Sequence, residues 1–457
     1  DFLYHHVSGM IQSCRQREVP VMVCTLPSNE RDLAPIGQDA SDPTMEAAVT
    51  DAMRLFEVQP GAVIERLIPL LEAQPDHARA HFYLGKALYA TGQYASALPH
   101  FIRARDLDPM PWRAPALSQD AIRRAVEEQG ASLCDAEAVF RMHSPGGAIG
   151  WELMDDHVHP SLQGQALLAR SIVQTLTNRT DSLAVDPDTF DTLPDWERYA
   201  ARLGDNPYDR YAVAHSVRVL FDIPFMRASN PQALQRFERM VRQAEQKMPD
   251  DILAIARKWQ TKTPHAGGKR PIAGMVARGL LRRNEIEKAL PLFDVARRSV
   301  PVYSSWHLEY VYFWLVARQL QNGALEDDEY QLAGDEIERG RILLQHGYSE
   351  SGITERYLGR LHQLRGEFAE AIPLLETARK KLYGLDRVAT EKALIVSYLK
   401  MNRPEMARKI AETGVEHSGG YADLYRNMLQ DIESSGISDP SSQPSPASVT
   451  PTENLSD

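Results

Sequence analysis

A recurring spacing of small and large apolar residues limits the architectures open to this chain. The first copy consists of Leu84, Gly85, Gly92, Tyr94, Ala97, Phe101, Ala104 and Pro109. The second copy consists of Leu358, Gly359, Gly366, Phe368, Ala371, Leu375 and Ala378. Two helices joined by a short turn would bring these residues onto facing sides, with the small residues where the helices touch. The spacing therefore predicts stacked pairs of antiparallel helices.

This spacing resembles the tetratricopeptide repeat, which has a leucine-glycine step, a small residue at the helix contact and a closing proline. Residues 44–75 resemble a degenerate copy, and further copies are predicted at 270–301 and around 394–411. Residues 306–345 form a predicted helical pair that is off register. A solenoid of such pairs has a concave face, so the resemblance implies a protein or peptide partner in the repeat grooves.

Two short apolar runs indicate a second kind of structure. Residues 19–26 are nearly continuously apolar and β-branched, which is typical of a strand buried on both faces of a parallel sheet. A helical pattern over 1–18 precedes this run, and a helix around 120–129 leads to a second short strand at 131–136. The repeats at 41–110 would then be inserted between two strands of one α/β domain. An entirely helical chain is the alternative, because short apolar runs are ambiguous by period alone.

An acid and a histidine stand three residues apart immediately before a predicted helix. Asp156 and His159 are followed by Pro160, which suits the first position of a helix. A tight turn here would let the Asp156 carboxylate accept a hydrogen bond from the His159 imidazole. That pair is the base half of a nucleophile–His–Asp system, in which the acid orients the imidazole and stabilises its protonated form. Leu162, Ala166, Ala169, Val173 and Leu176 follow at helical spacing and predict the buried face of this helix.

Two other interpretations of this stretch stay open at the level of sequence. Asp155 or Asp156 could cap the following helix. His157 and His159 alternate, so on an extended segment both would face one side and could bind a metal ion. No further cluster of ligand residues accompanies them, so neither a metal site nor a cofactor is predicted.

Two stretches together resemble SGNH (GDSL-type) esterases and lipases. They are Val21-Met22-Val23-Cys24-Thr25-Leu26-Pro27-Ser28-Asn29, and Asp156-His157-Val158-His159-Pro160 with Gly164 in the next helix. More narrowly, they resemble bacterial proteins that combine such a domain with tetratricopeptide repeats. The resemblance covers about 1–40 and 111–178. It implies a flavodoxin-like α/β/α sandwich that hydrolyses or transfers an acyl ester through a serine acyl-enzyme, with Asp156 as the triad acid and His159 as the base.

The sequence departs from that family in its catalytic blocks. The family's nucleophile lies in a Gly-Asp-Ser block, and a glycine and an asparagine complete its oxyanion hole. None of these blocks precedes Asp1. Ser28-Asn29 follows what would be the fourth strand, so the oxyanion role is not transferred to it, and a polar turn is the favoured interpretation. We therefore expect the sequence to begin within a longer protein and, by itself, to be inactive, since several kcal/mol of transition-state stabilisation would be missing.

Composition excludes other classes of function. The formal net charge of −11 argues against a nucleic-acid-binding protein. No apolar run approaches the length of a transmembrane segment. The cysteines Cys14, Cys24 and Cys134 have no paired spacing, which argues against a disulfide framework and leaves Cys24 as a small buried apolar residue. Neither the localisation nor the ester substrate is indicated.

The sequence thus predicts a mainly α chain with an α/β part. Its predicted segments are 1–40 and 111–178 for the hydrolase-like domain, 41–110 for inserted repeats, 179–269 for a helical connection, 270–432 for a repeat solenoid and 433–457 for a disordered tail rich in Ser, Pro and Thr. The predicted function is a serine ester hydrolase with protein-interaction repeats. The alternative is a non-catalytic scaffold that uses the repeats for protein–protein interaction.

Overall fold

The structure is a computed structural model that describes residues 2–37, 43–178, 185–186, 188–261, 270–346 and 352–434. The chain falls into two compact units. The first comprises Asp1–Leu203 with Val213–Ala244, and the second comprises Gly204–Ala212 with Glu245–Asp457. Almost all of the predicted tail, 435–457, lies outside the described residues.

The first unit combines many helices with one small sheet. Its elements in chain order are α1 (Phe2–Arg15), β1 (Met22–Cys24), α2 (Pro43–Leu55), α3 (Pro60–Ala73), α4 (Ala78–Ala90), α5 (Tyr94–Asp106), α6 (Ala116–Gln129), β2 (Ser132–Cys134), α7 (Ala136–Met142), α8 (Leu162–Thr177), α9 (Asp188–Asp191) and α10 (Trp196–Leu203). The helix α11 (Pro207–Phe221) crosses the boundary between the units, and α12 (Pro224–Ser229) and α13 (Pro231–Glu245) follow.

The two predicted strands pair with each other in parallel. Met22 lies opposite Ser132 and Cys24 lies opposite Cys134, so α2 to α6 are inserted between the two strands. Both strands have only three residues, and every residue of β1 is half-buried. The prediction of a strand buried on both faces is therefore wrong for β1, and Cys24 is half-buried too, because no third strand among the described residues continues the sheet.

The inserted helices pack through small residues, as the spacing predicts. α4 packs against α5, and its Gly85 lies against the ring of Phe101, where an added Cβ would stand 3.0 Å from two ring carbons. Ala97 and Ala104 of α5 are fully buried in the same core. Apolar residues of α2 and α3, among them Val49 and Leu67, extend that core. The degenerate stretch at 44–75 is thus a real helix pair that continues the packing of α4 and α5.

The second unit is a succession of helices that pack on their neighbours in the chain. They are α14 (Asp250–Thr261), α15 (Ile272–Arg282), α16 (Ile286–Arg298), α17 (Ser305–Asn322), α18 (Asp327–His346), α19 (Ile353–Leu364), α20 (Phe368–Lys381), α21 (Gly384–Lys400), α22 (Pro404–His417) and α23 (Ala422–Ser434). The strongest packing joins α15 to α16, α16 to α17 and α19 to α20. In the last pair Gly359 is pressed against Leu375, as Gly85 is against Phe101 in the first unit. Helical pairs are therefore the building block of both units.

The helix after the Asp156 turn is oriented differently from the prediction. Ala169, Val173 and Leu176 of α8 are exposed to solvent. Gly164 and Ser171 are its buried residues, and Leu167 and Leu168 pack on a small core around Phe140. An open groove of about 700 Å³ lies between the predicted apolar face of α8 and the helix α10. No helix within the described ranges is both long and apolar enough to span a bilayer.

Candidate active site

The segment from Leu153 to Ser161 folds into a closed loop that carries the predicted pair. An isolated antiparallel bridge joins Met154 to Pro160, and the amide of Asp155 donates to the carbonyl of His159 at 2.8 Å. Ser161 closes the loop, because its amide donates to the Leu153 carbonyl and its hydroxyl caps α8. The helix cap is therefore Ser161 rather than Asp155 or Asp156, and Pro160 precedes the cap rather than opening the helix.

Asp156 organises the turn and holds His159. One carboxylate oxygen of Asp156 accepts hydrogen bonds from the amides of Val158 and His159, each at 2.8 Å. The other carboxylate oxygen lies 2.7 Å from Nδ1 of His159. Burial alone would raise the pKa of Asp156, but the two amides and His159 outweigh it and hold this pKa below its ordinary value. Asp156 is therefore ionised at neutral pH and favours the His159 tautomer that carries its proton on Nδ1.

The two partners differ sharply in exposure. Asp156 is 6% exposed, whereas the side chain of His159 is 74% exposed. An imidazole that is fixed through Nδ1 to a buried carboxylate presents Nε2 as an acceptor at the surface. The geometry is compatible with the predicted general base, whose acid partner would be shielded from water.

His157 has a different environment from His159. Its Nδ1 is 3.5 Å from Asp156, its side chain is 14% exposed, and its ring lies 5.2 Å from the ring of Trp112. Burial lowers the pKa of His157, which keeps its imidazole neutral. Across the described ranges, no group of three or more His, Cys, Asp or Glu side chains could surround a metal ion, so a metal site at His157 and His159 would lack its further ligands.

The loop after β1 supports the Asp156 turn from behind. The amide of Asn29 donates to the carbonyl of His157, and the amides of Glu30 and Arg31 both donate to the carbonyl of Ile149, all at 3.0 Å. The side-chain oxygen of Asn29 accepts from the amide of Asp32, which makes the polar turn that Ser28-Asn29 favours in the sequence. The sequence therefore indicates the turn, but it does not show that the turn holds the segment carrying the Asp–His pair.

A buried ionic network joins this loop to the inserted helices. Glu30 is 1% exposed and accepts from Arg105 of α5 and from Arg141 of α7, the latter at 2.7 Å. Glu137 accepts from the same two arginines. Arg113, also buried, donates to the carbonyl of Asn29 at 3.0 Å. None of these residues was singled out from the sequence, because charged residues at ordinary spacing give no sign of being buried.

The described residues place no nucleophile on the histidine. No hydroxyl or thiol within those ranges is hydrogen-bonded to His159. Ser28 is 2% exposed and its hydroxyl has no hydrogen-bond partner within the described ranges, so it does not serve His159. The site as described is an Asp–His pair that can accept a proton.

Comparison with known proteins identifies one stretch of the inserted helices as similar to a repeat family. The family profile described as Tetratricopeptide repeat matches residues 64–109, which span most of α3 together with α4 and α5. Residues 64–109 are therefore similar to the tetratricopeptide repeat. No curated protein matches the sequence.

Two solved structures resemble the chain weakly. One is the crystal structure of the P58(IPK) TPR domain, with 11% identity over 86% of this chain and 98% of that chain. The other is yeast Tom70, with 11% identity over 86% of this chain and 90% of that chain. The TM-score is 0.22 in both cases, which does not indicate a shared overall fold.

Proposed function

We propose that the protein is a scaffold whose helical repeats hold a protein partner. The observation that carries this proposal is the succession of helix pairs from α15 to α22. Within it the first helices of successive pairs contact each other, α15 with α17, α17 with α19 and α19 with α21. The second helices are packed chiefly on the helices before and after them in the chain. The first helices therefore lie on the inner, concave side, where repeat proteins bind extended or helical segments.

Two exposed apolar residues on adjacent helices allow a matched test of the concave face. Val396 on α21 is 40% exposed, and Met406 on α22 is 37% exposed. A charge on the concave face costs binding because the partner's apolar side chains can no longer cover it. We expect Val396→Asp to abolish affinity capture of the partner by the full chain, and Met406→Asp to leave it unchanged. Equal capture by both variants would contradict the proposal.

A second function is favoured by one specific observation, the 2.7 Å contact between Asp156 and the exposed His159. We propose that this pair is the acid and base of a serine ester hydrolase of the SGNH type, and that 1–40 and 111–178 belong to its flavodoxin-like domain. The nucleophile would come from outside the described residues. The two functions are compatible, because interaction repeats can bring a catalytic domain to its substrate.

The hydrolase proposal is tested on the native protein in the form in which its own cells express it. We expect His159→Ala to lower the rate of p-nitrophenyl acetate hydrolysis by about 10²- to 10⁴-fold, since a positioned base contributes that much. His157→Ala is the matched control, because Nδ1 of His157 lies 3.5 Å from Asp156 but has no hydrogen-bond partner among the described residues. A melting temperature within about 1 °C of the parent would show that the exposed His159 ring is not needed for folding. An unchanged rate in His159→Ala would remove the assignment.

A further inference from the structure

The first unit contains a second concave site, separate from the Asp156 turn. It is a cleft of about 220 Å³ between the inserted helices, the loop after β1 and α13. We name it the Trp151 cleft. Its residues used below are Asp32, Phe56, Tyr83, Lys86, Trp151, Arg236 and Arg239. A volume of this size accommodates about seven water molecules, or one or two side chains of a ligand.

Hydrogen bonds fix the walls of the Trp151 cleft. Asn230, at the start of α13, exchanges two hydrogen bonds with the backbone of Ala34, at 2.7 and 3.2 Å. Asp32 accepts from the amide of Trp151 at 3.1 Å and from Lys86 at 3.3 Å. These groups are buried or half-buried and come from four separate segments: the loop after β1, α4, the segment that holds Trp151, and the start of α13. The cleft is therefore formed in advance, which lowers the ordering cost of binding.

Aromatic rings form its apolar side. Tyr83 is buried and lies 6.0 Å from the ring of Phe56. Trp151 packs on Phe237 of α13 with ring centroids 5.5 Å apart. The Trp151 ring is only half-buried, so part of its surface is open to the cleft. Such surfaces bind apolar side chains in protein interfaces.

The charges of the cleft are unbalanced towards the α13 side. Burial by itself would raise the pKa of Asp32, but Lys86 and Arg31 outweigh it and hold this pKa low, so Asp32 is ionised and neutralised within the wall. Arg236 and Arg239 stand one helical turn apart on α13, and both are exposed. Neither is within ion-pair distance of a carboxylate of the described residues, although burial raises the pKa of Asp155 and the charge of Arg236 acts to lower it. Arg236 also lies over the Trp151 ring at 5.5 Å. The exposed Glu57 is the other acid that lines the cleft, so the two arginines outnumber the one acid that is not neutralised within the wall.

We infer that the Trp151 cleft binds an acidic side chain of a protein partner together with the apolar residue next to it. The two exposed guanidinium groups suit a carboxylate, and the adjoining rings suit its apolar neighbour. This inference rests on the proposed scaffold function, since it names part of what the partner presents. It adds a recognition site in the first unit to the concave face of the second.

The test uses small probes and the full chain labelled with 5-fluorotryptophan. The sequence has six tryptophans, and Trp151→Phe identifies the fluorine signal of Trp151. The probes are acetyl-Phe-Glu-amide, its neutral partner acetyl-Phe-Gln-amide, and inorganic phosphate. We expect a saturable shift of the Trp151 signal with the Glu peptide, and affinities at least about tenfold weaker for the Gln peptide and for phosphate, equivalent to about 1.4 kcal/mol.

Variants locate the binding groups. Arg236→Gln combined with Arg239→Gln should weaken the Glu peptide by about tenfold or more, about 1.4 kcal/mol. Arg242→Gln is the control, because Arg242 is on the same helix, outside the cleft, and 4.0 Å from Glu238. The inference would be overturned if the two peptides bound equally, if phosphate bound as tightly as the Glu peptide, or if the Trp151 signal did not shift. Partner capture through Val396 is measured separately, so its failure and failure of the cleft are distinguishable.

Discussion

The Asp156 turn and the α19–α20 repeat show two different ways of holding helices and loops in place. In the repeat, Gly359 packs on Leu375 and Ala371, which are close in the chain and belong to the next helix. Around the turn, the decisive contacts are polar and distant, such as Arg113 with Asn29 and Arg141 with Glu30. The repeat is stabilised by shape between near neighbours. The turn depends on polar contacts between residues that lie before and after the helices α2 to α5 in the chain. It is therefore the more sensitive of the two to the loss of a single side chain.

The largest expected effect breaks the network behind the turn. Glu30→Ala leaves Arg105 buried with one carboxylate partner fewer, and removing one partner from a buried ionic pair costs about 3–5 kcal/mol of unfolding free energy. Glu338→Ala in the second unit is the control, because its ion pair with Arg341 is exposed and should contribute under about 1 kcal/mol. Urea unfolding measures both. Losses of equal size would show that the two regions do not differ in this way.

A second test adds the same methyl group to each region. In Gly164→Ala the new Cβ would lie 2.1 Å from the backbone oxygen of Leu153, which belongs to the closed loop and cannot move aside. In Gly359→Ala it would lie 2.7 Å from a side-chain carbon of Leu375, which can shift. We expect losses of about 3 kcal/mol and about 1 kcal/mol respectively.

Gly9→Ala controls for the change of residue type. No heavy atom lies within 4 Å of its added Cβ, and Gly9 is inside α1, so the substitution should stabilise by about 0.5–1 kcal/mol. A loss in Gly359→Ala that equals or exceeds the loss in Gly164→Ala would reverse the comparison.

The smallest expected effect is a loss of stability at acidic pH. It distinguishes the inserted repeats from the repeats of the second unit. Nδ1 of His81 lies 2.8 Å from Nδ1 of His100, across the contact between α4 and α5. Burial first, and His81 second, lower the pKa of His100 to about 4, from an ordinary value of 6.5. Because the pKa of His100 is lower in the folded state than in the unfolded chain, the neutral ring favours folding. This contribution to stability is complete above about pH 6.5 and is lost as the pH falls towards about 4.

The measurement is the melting temperature of the full chain at pH 7 and pH 5. After allowance for the partial exposure of His100, we expect a loss of about 1 kcal/mol on acidification. His100→Gln should remove most of that loss, whereas His417→Gln, at an exposed position on α22, should not. An equal pH dependence in His100→Gln and the parent would exclude this histidine pair as its origin.

The comparison also explains which features could be predicted from sequence. The pair α4–α5 was predictable because the contact of Gly85 with Phe101 and the burial of Ala97 follow from one local spacing. The Asp156–His159 contact was predictable because both residues lie on one short turn. The covered face of α8 was predicted wrongly, because periodicity shows that Leu162 and Val173 share a side but not which side meets the core. The roles of Glu30 and Arg105 were missed because charged side chains seldom lie in a core and nothing local marks those that do.

The insertion of α2 to α6 between two paired strands sets an order for folding. Thr25, next to β1, hydrogen-bonds to Asp135, next to β2, and 110 positions separate them. Closing a loop of that length costs chain entropy before any strand contact is gained, whereas each inserted helix pair forms from contacts between near neighbours. We therefore expect the helix pairs to form first and to bring the two strands together. By the same reasoning we expect the sheet and the Asp156 turn to be the last parts of the first unit to assemble, once the insertion is complete.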